Sequence, residues 1–187
     1  MLRAIIGTAA VLAGFGVLER SVDASTGYAG SCTATQAYAL LQRGETVPVR
    51  AEPTPQAAVI GVLSGRAGSH AAKVGEPARS QVTIMGSQSG WARIALNTAQ
   101  GYAADGAAPP SFGWVPADLL TVDARVEGTI TAYDRPDLLA SVLATVEGDD
   151  MKFRVLGCRG NRLQVVNARL GHVWIDKWCA REEGCRG

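Results

Sequence analysis

The side chains able to carry covalent or metal chemistry are few. Four cysteines (Cys32, Cys158, Cys179, Cys185) and two histidines (His70, His172) are spread over 187 residues. A nucleophilic thiol needs a base beside it. Cys158 and His172 are fourteen positions apart (172 − 158) and could approach across a hairpin. A zinc site wants closely paired nitrogen or sulfur ligands, and no Cys-x-x-Cys pair occurs. Asp149-Asp150 and Glu182-Glu183 are adjacent carboxylates. Neighbouring side chains on a strand point to opposite faces, so these fit solvated turn and tail charges better than an acid/base pair. Gly101 to Gly106 lacks the lysine and following helix of a phosphate loop. No catalytic residue, metal or cofactor is therefore expected, and the chain reads as a non-enzyme.

How the cysteines are used depends on compartment. Arg3 precedes an uncharged apolar run from Ala4 to Leu18, too short to span a bilayer comfortably but suited to a signal peptide. Val22-Asp23-Ala24 offers small residues for cleavage after Ala24, so 1–24 is expected to be a signal peptide, leaving no transmembrane segment and a periplasmic or secreted protein. All four cysteines survive that cleavage, an even number in an oxidising compartment, and disulfides are expected. Four cysteines allow three pairings. The preferred bridge joins Cys158 to Cys179 or Cys185 within the C-terminal part.

Eighteen Lys+Arg against 17 Asp+Glu leave a formal charge of +1, which gives no reason to expect a nucleic-acid partner. With 47% hydrophobic residues a core is within reach, and 22 glycines with 8 prolines favour β structure punctuated by turns. Residues 25–46 read as a leader or linker in which Ala34 to Arg43 could form a helical turn or two, with Tyr38 and Leu41 on one face.

Beyond it the chain says the same thing twice. The first copy, 47–122, runs Val47-Pro48-Val49-Arg50-Ala51-Glu52-Pro53, Val59-Ile60-Gly61-Val62-Leu63, Val82-Thr83-Ile84-Met85-Gly86, Gly90-Trp91-Ala92-Arg93-Ile94-Ala95 and Phe112-Gly113-Trp114-Val115 to Leu120. The second, 126–187, runs Ile130-Thr131-Ala132-Tyr133-Asp134-Arg135-Pro136, Ser141-Val142-Leu143, Phe153-Arg154-Val155-Leu156-Gly157, Arg162-Leu163-Gln164-Val165-Val166 and Val173-Trp174-Ile175. Ile84 precedes Trp91 by seven, as Val155 precedes Arg162 (91 − 84 = 162 − 155). Trp91 to Trp114 is 23 residues and Arg162 to Trp174 is 12, so the first copy carries 11 extra, in the turn-like stretch Asn97 to Ser111. A second excess falls in Ser64 to Ser80 when Leu63 is matched to Leu143. Each copy is a run of short alternating strands that must curl on itself to bury a core.

The order Val-Arg-Ala-x-Pro, Ile-Gly-x-Leu, Val-x-Ile-x-Gly, Gly-Trp-x-x-Ile and Gly-Trp-Val over 49–120 resembles the bacterial SH3 (SH3b) domain, and 130–178 is similar but more divergent. Arg162 stands where the family usually shows a tryptophan, and Val173 where it shows the glycine of Gly-Trp-Val. The resemblance implies an all-β protein of two tandem SH3-like barrels. It also implies a groove lined by aromatic rings, a large and rigid contact area. Trp91, Trp114, Trp174 and Tyr133 are the expected ligand-binding residues, and Asp118 is expected to cap the final turn of the first copy. The expected partner is a peptide, a peptidoglycan stem peptide or an envelope protein. The alternative is a structural or assembly subunit, or an inhibitor, inside a larger envelope complex. The tryptophan-bearing first copy is the better place for binding; the second reads as a disulfide-braced support.

Overall fold

A computed structural model of the chain describes residues 30–65, 78–106, 110–147, 151–181 and 185. The expected signal peptide, His70 and both adjacent carboxylate pairs lie outside the described residues. Among the described residues thirteen strands form one antiparallel sheet. They are β1 (Gly30–Leu41), β2 (Thr46–Arg50), β3 (Val59–Ser64), β4 (Ala78–Gln88), β5 (Trp91–Ala95), β6 (Tyr102–Ala104) and β7 (Phe112–Pro116), followed after a 3-10 turn by β8 (Leu120–Asp123). The second half supplies β9 (Thr129–Tyr133), β10 (Val142–Glu147), β11 (Lys152–Arg159), β12 (Arg162–Asn167) and β13 (Gly171–Ile175).

The two halves share one wiring. In the first, β2 pairs with β3, β4 with β5, and β5 with β7, which returns to β2 through Arg50 opposite Trp114. In the second, β9 pairs with β10, β11 with β12, and β12 with β13, which returns to β9 through Tyr133 opposite Trp174. Bulges recur at matching places, between Ile84 and Gly86 and between Val155 and Gly157. They recur again at Val49/Arg50 and at Val142/Ala144. This second pair of bulges corrects the sequence match by three residues: Val59 and Ile60 answer to Val142 and Leu143, and Gly61 to Ala144.

The sheet is open, in the order β10-β9-β13-β12-β11-β8-β1-β4-β5-β7-β2-β3-β6, and closure of each half into its own barrel is not shown. Two strands, β8 at the end of the first copy and β1 ahead of it, sit between the halves and join them. Residues expected to be a leader with some helix are thus a twelve-residue strand at the centre of the sheet. Alanine-rich composition concealed it, because Ala37, Ala39 and Leu41 alternate on the core face while Tyr38 is buried on the other. Burial of Tyr38 opposite that face breaks the alternation that would announce a half-buried strand. The buried apolar side chains form one cluster drawn from both halves, from Val49, Ile84 and Ile94 to Phe153, Val155 and Leu163.

Polar and covalent ties reinforce the junction. Tyr38 donates its hydroxyl to Asp123 Oδ1 at 2.7 Å, and Arg79 Nη1 reaches Asp123 Oδ2 at 2.6 Å while its guanidinium lies over the Tyr38 ring. Burial, then the Asp123 acceptor, pushes the Tyr38 hydroxyl well above the ordinary tyrosine range. The C-terminal segment lies across this centre: Trp178 Nε1 donates to Gln36 O, Gln81 Nε2 donates to Ala180 O, and Asp123 exchanges backbone hydrogen bonds with Cys179.

The disulfides join Cys32 to Cys158 and Cys179 to Cys185, with Cα–Cα distances of 5.7 and 5.4 Å. The preferred bridge from Cys158 to the C-terminal cysteines is therefore wrong, because Cys158 ends β11 against the start of β1. There Thr33 N donates to Gly160 O and Gly160 N to Ser31 O. Asp118 lies within the 3-10 turn Ala117–Leu119 and makes no capping bond; Pro116 precedes the turn.

Candidate functional site

On β5 the side chains of Ala92 and Ile94 enter the core, and on β7 those of Val115 do so, with Gly113 buried beside it. Alternation sends Trp91, Arg93, Phe112, Trp114 and Pro116 to the other face. Register then sets their order: Trp91 is opposite Pro116, Arg93 opposite Trp114, and Trp114 opposite Arg50 of β2. Trp91 and Trp114 are thus diagonal neighbours, roughly 7–8 Å apart between backbones. The Arg93 guanidinium lies 4.2 Å over the ring of Phe112, which is 36% exposed. Both tryptophans are half-buried. Arg50 Nη1 donates to Ala57 O at 2.7 Å, holding the β2–β3 loop beside Trp114. The result is a partly solvated row of three aromatic rings interleaved with two guanidinium groups.

On the corresponding face of the second half one ring is buried and the other is half-buried beneath a guanidinium. Trp174 stands where Trp114 does, directly opposite Tyr133, yet it is only 3% exposed and presents no ring face to solvent. Arg162 stands where Trp91 does. Its guanidinium packs 3.8 Å over the Tyr133 ring and donates to the carbonyls of Arg135 at 3.1 Å and Asp137 at 3.0 Å. The Tyr133 hydroxyl donates to Asp176 Oδ2 at 3.2 Å. An aromatic surface has thus become a clamp on the β9–β10 loop. Of the four sequence-predicted residues, the structure brings half-buried Trp91 and Trp114 together on one face and sets half-buried Tyr133 against buried Trp174 on the other.

Arg93, Phe112 and Arg50 were missed. Phe112 could have been found by counting back two residues from Trp114, since period-two spacing places them together. Arg50 joins only through the β2–β7 ladder, which no local pattern announces.

The chemistry-bearing residues do not converge. Cys158 is buried in its disulfide, while His172 is exposed on β13 opposite Val166. Among the described residues no cluster of three His, Cys, Asp or Glu side chains is arranged to hold a metal ion. A cleft of about 460 Å³ lies over the sheet between Leu40, Thr121, Lys152, Arg154 and Val166, and none of the predicted site residues lines it. Among the described residues no helix is long and apolar enough to cross a membrane.

No protein-family model matches the chain, and no curated protein matches it. Among solved structures it is similar to NlpC2 from Trichomonas vaginalis, 15% identical, with 83% of this chain and 51% of that chain aligned and a TM-score of 0.30. The chain therefore spans about half the length of that protein.

Proposed function

We propose that this protein is an exported, non-enzymatic binding module of the bacterial SH3 type, which recognises a peptide in the cell envelope through its first half. The observation that carries the reading is the partly solvated row of Trp91, Trp114 and Phe112 interleaved with Arg93 and Arg50. Flat rings bury a large area on an extended peptide at little entropic cost, and guanidinium groups between them match carboxylates and backbone carbonyls. A stem peptide of the cell wall, with small side chains and free carboxylates, suits that face. The second half, where Arg162 caps Tyr133 on the same surface, supports the first through the shared core and the Cys32–Cys158 bridge.

The test is retention of the chain from Ser25 onwards on purified peptidoglycan, compared with Trp91→Ala and Trp114→Ala. Aromatic residues at the centre of a binding face typically contribute about 2 kcal/mol or more, so each variant is expected to bind some thirtyfold more weakly. Both tryptophans face away from the core, so urea midpoints should move little. Unaltered retention of both variants refutes the aromatic face, and no retention of the wild type refutes the wall-peptide ligand.

A further inference from the structure

The repeat leaves its two outermost strands in different states. In the first half the outer edge of β3 is covered by β6, which comes from the 11-residue insertion. Leu63 pairs with Tyr102, Val62 with Ala103 and Gly61 with Ala104. Ser64 N donates to Gly101 O and Asp105 N to Ile60 O, both at 3.0 Å, so even-numbered residues of β3 turn their backbone groups outward. In the second half the equivalent strand is β10, which ends the sheet order with no strand beside it among the described residues. Its outward-turned residues are Leu143, Thr145 and Glu147, matching Ile60, Val62 and Ser64.

Natural proteins blunt a bare edge with lysine, proline or an inward charge. The run Val142 to Glu147 carries only a terminal glutamate. Exposed apolar side chains lie on β10 and in the loop that leads into it instead: Leu138 is 99% exposed, Leu139 82%, Val142 59% and Leu143 56%. The backbone here is held ready, since Arg162 and Asp134 fasten the loop 134–141 that leads into it.

We propose that the outer edge of β10 is a docking site for an extended peptide segment of a partner protein, bearing small side chains, which adds one antiparallel strand to the sheet. The occupant's chemistry is read from the first half, which fills the same edge with its own Tyr-Ala-Ala segment. One difference sharpens it. Gly61 admits both the Tyr102 ring and the Ala103 carbonyl, each of which a Cβ there would meet at 2.5 Å. The second half has Ala144 at that position, so an occupant in the same register must set its backbone slightly further out than β6 does and replace the tyrosine with a small residue. Main-chain hydrogen bonds supply the affinity, and Leu138, Leu139 and Leu143 cover the flank. This site is independent of the aromatic face, which lies in the other half, and its failure leaves that reading standing.

The experiment titrates two synthetic nonapeptides into the isotope-labelled protein and follows backbone amide shifts. One peptide has the sequence of residues 99–107; the other has alanine in place of its tyrosine. The alanine peptide is expected to shift amides of 142–147 with a dissociation constant below about 1 mM, and the tyrosine peptide to bind about tenfold more weakly. Ala144→Gly should restore binding of the tyrosine peptide. Thr145→Pro removes one outward N–H while leaving the β9 ladder intact, and should abolish both. Absence of shifts at 142–147, equal binding of the two peptides to the wild type, or unchanged binding to Thr145→Pro overturns the proposal. So does a concentration-dependent dimer that Thr145→Pro abolishes, since a second copy would then own the edge.

Discussion

Gly113 and Val49 form a size-matched pair whose partners in the second half are exchanged. A Cβ at position 113 would overlap Val49 Cγ1 and approach Ile60 Cδ1 at 3.1 Å. In the second half the glycine becomes Val173 and the valine becomes Ala132, both buried. Bulk has moved from one strand to its neighbour. Gly113→Ala alone should therefore cost about 1–3 kcal/mol through overpacking, its φ lying outside the left-handed region and adding no strain. Val49→Ala alone removes two methyl groups from a fully buried site. At about 0.8 kcal/mol per carbon plus a cavity contribution, it should cost about 2 kcal/mol. In the double variant the overlapping methyl is gone, so the cost should fall short of the sum by about 1–2 kcal/mol. Urea unfolding of the oxidised protein, followed by tryptophan fluorescence and extrapolated to water, measures each corner. Each kcal/mol should move the thermal midpoint by about 2–4 °C at this chain length. Costs that add to within about 0.5 kcal/mol would refute the exchange and leave the glycine without a packing reason.

Tyr38→Phe deletes a buried hydrogen bond to a carboxylate and should lower stability by about 1.5–3 kcal/mol in the same assay, with Arg79 still pairing Asp123. The folded protein holds the Tyr38 proton more tightly than the unfolded chain does. The resulting stability is complete below the ordinary tyrosine value of about 10 and is lost as pH climbs above it. The urea midpoint of the wild type should accordingly fall more steeply between about pH 10 and 11.5 than that of Tyr38→Phe, and parallel curves would contradict this. The two disulfides should differ in worth. Opening the Cys32–Cys158 loop, with partners 126 apart, should cost about 5 kcal/mol, and the six-residue Cys179–Cys185 separation about 2 kcal/mol. Paired Cys→Ala variants compared by urea unfolding will rank them. Gly61→Ala should expel Tyr102 and release β6 from β3, seen as faster amide exchange at Val62 and Ser64 with the β4–β5 ladder unaffected.

The strand content and the repeat were legible because alternation and glycine spacing are local. Ile84 and Val155 lead into the same bulge seven residues before Trp91 and Arg162, and that count survives in the ladder. The first hairpin could not be aligned from sequence, since Val62-Leu63 and Val142-Leu143 look alike while the bulge answers to Ile60 and Leu143. β1 was hidden because Tyr38 is buried opposite the Ala37, Ala39 and Leu41 face, which breaks the alternation, and Ala-rich sequence signals helix as readily as central strand. β6 was hidden inside an insertion whose glycines and prolines read as a turn. The aromatic pair Trp91 and Trp114 was visible as residue types. That Arg162 caps Tyr133 and two loop carbonyls, where the first half has a half-buried Trp91, is a relation set by tertiary register alone.

The disulfide connectivity bears on how the chain is made. Its cysteines pair in consecutive order, first with second and third with fourth. Under the export proposed for it, the chain would enter an oxidising space amino-terminus first and meet its thiols in that order, so Cys32 would be offered Cys158 before either C-terminal rival arrived. Cys179 then emerges with its partner six residues behind it. Vectorial delivery by itself favours the native pairing, with little need for reshuffling. Refolding of the complete reduced chain loses that advantage, because all four thiols then compete at once.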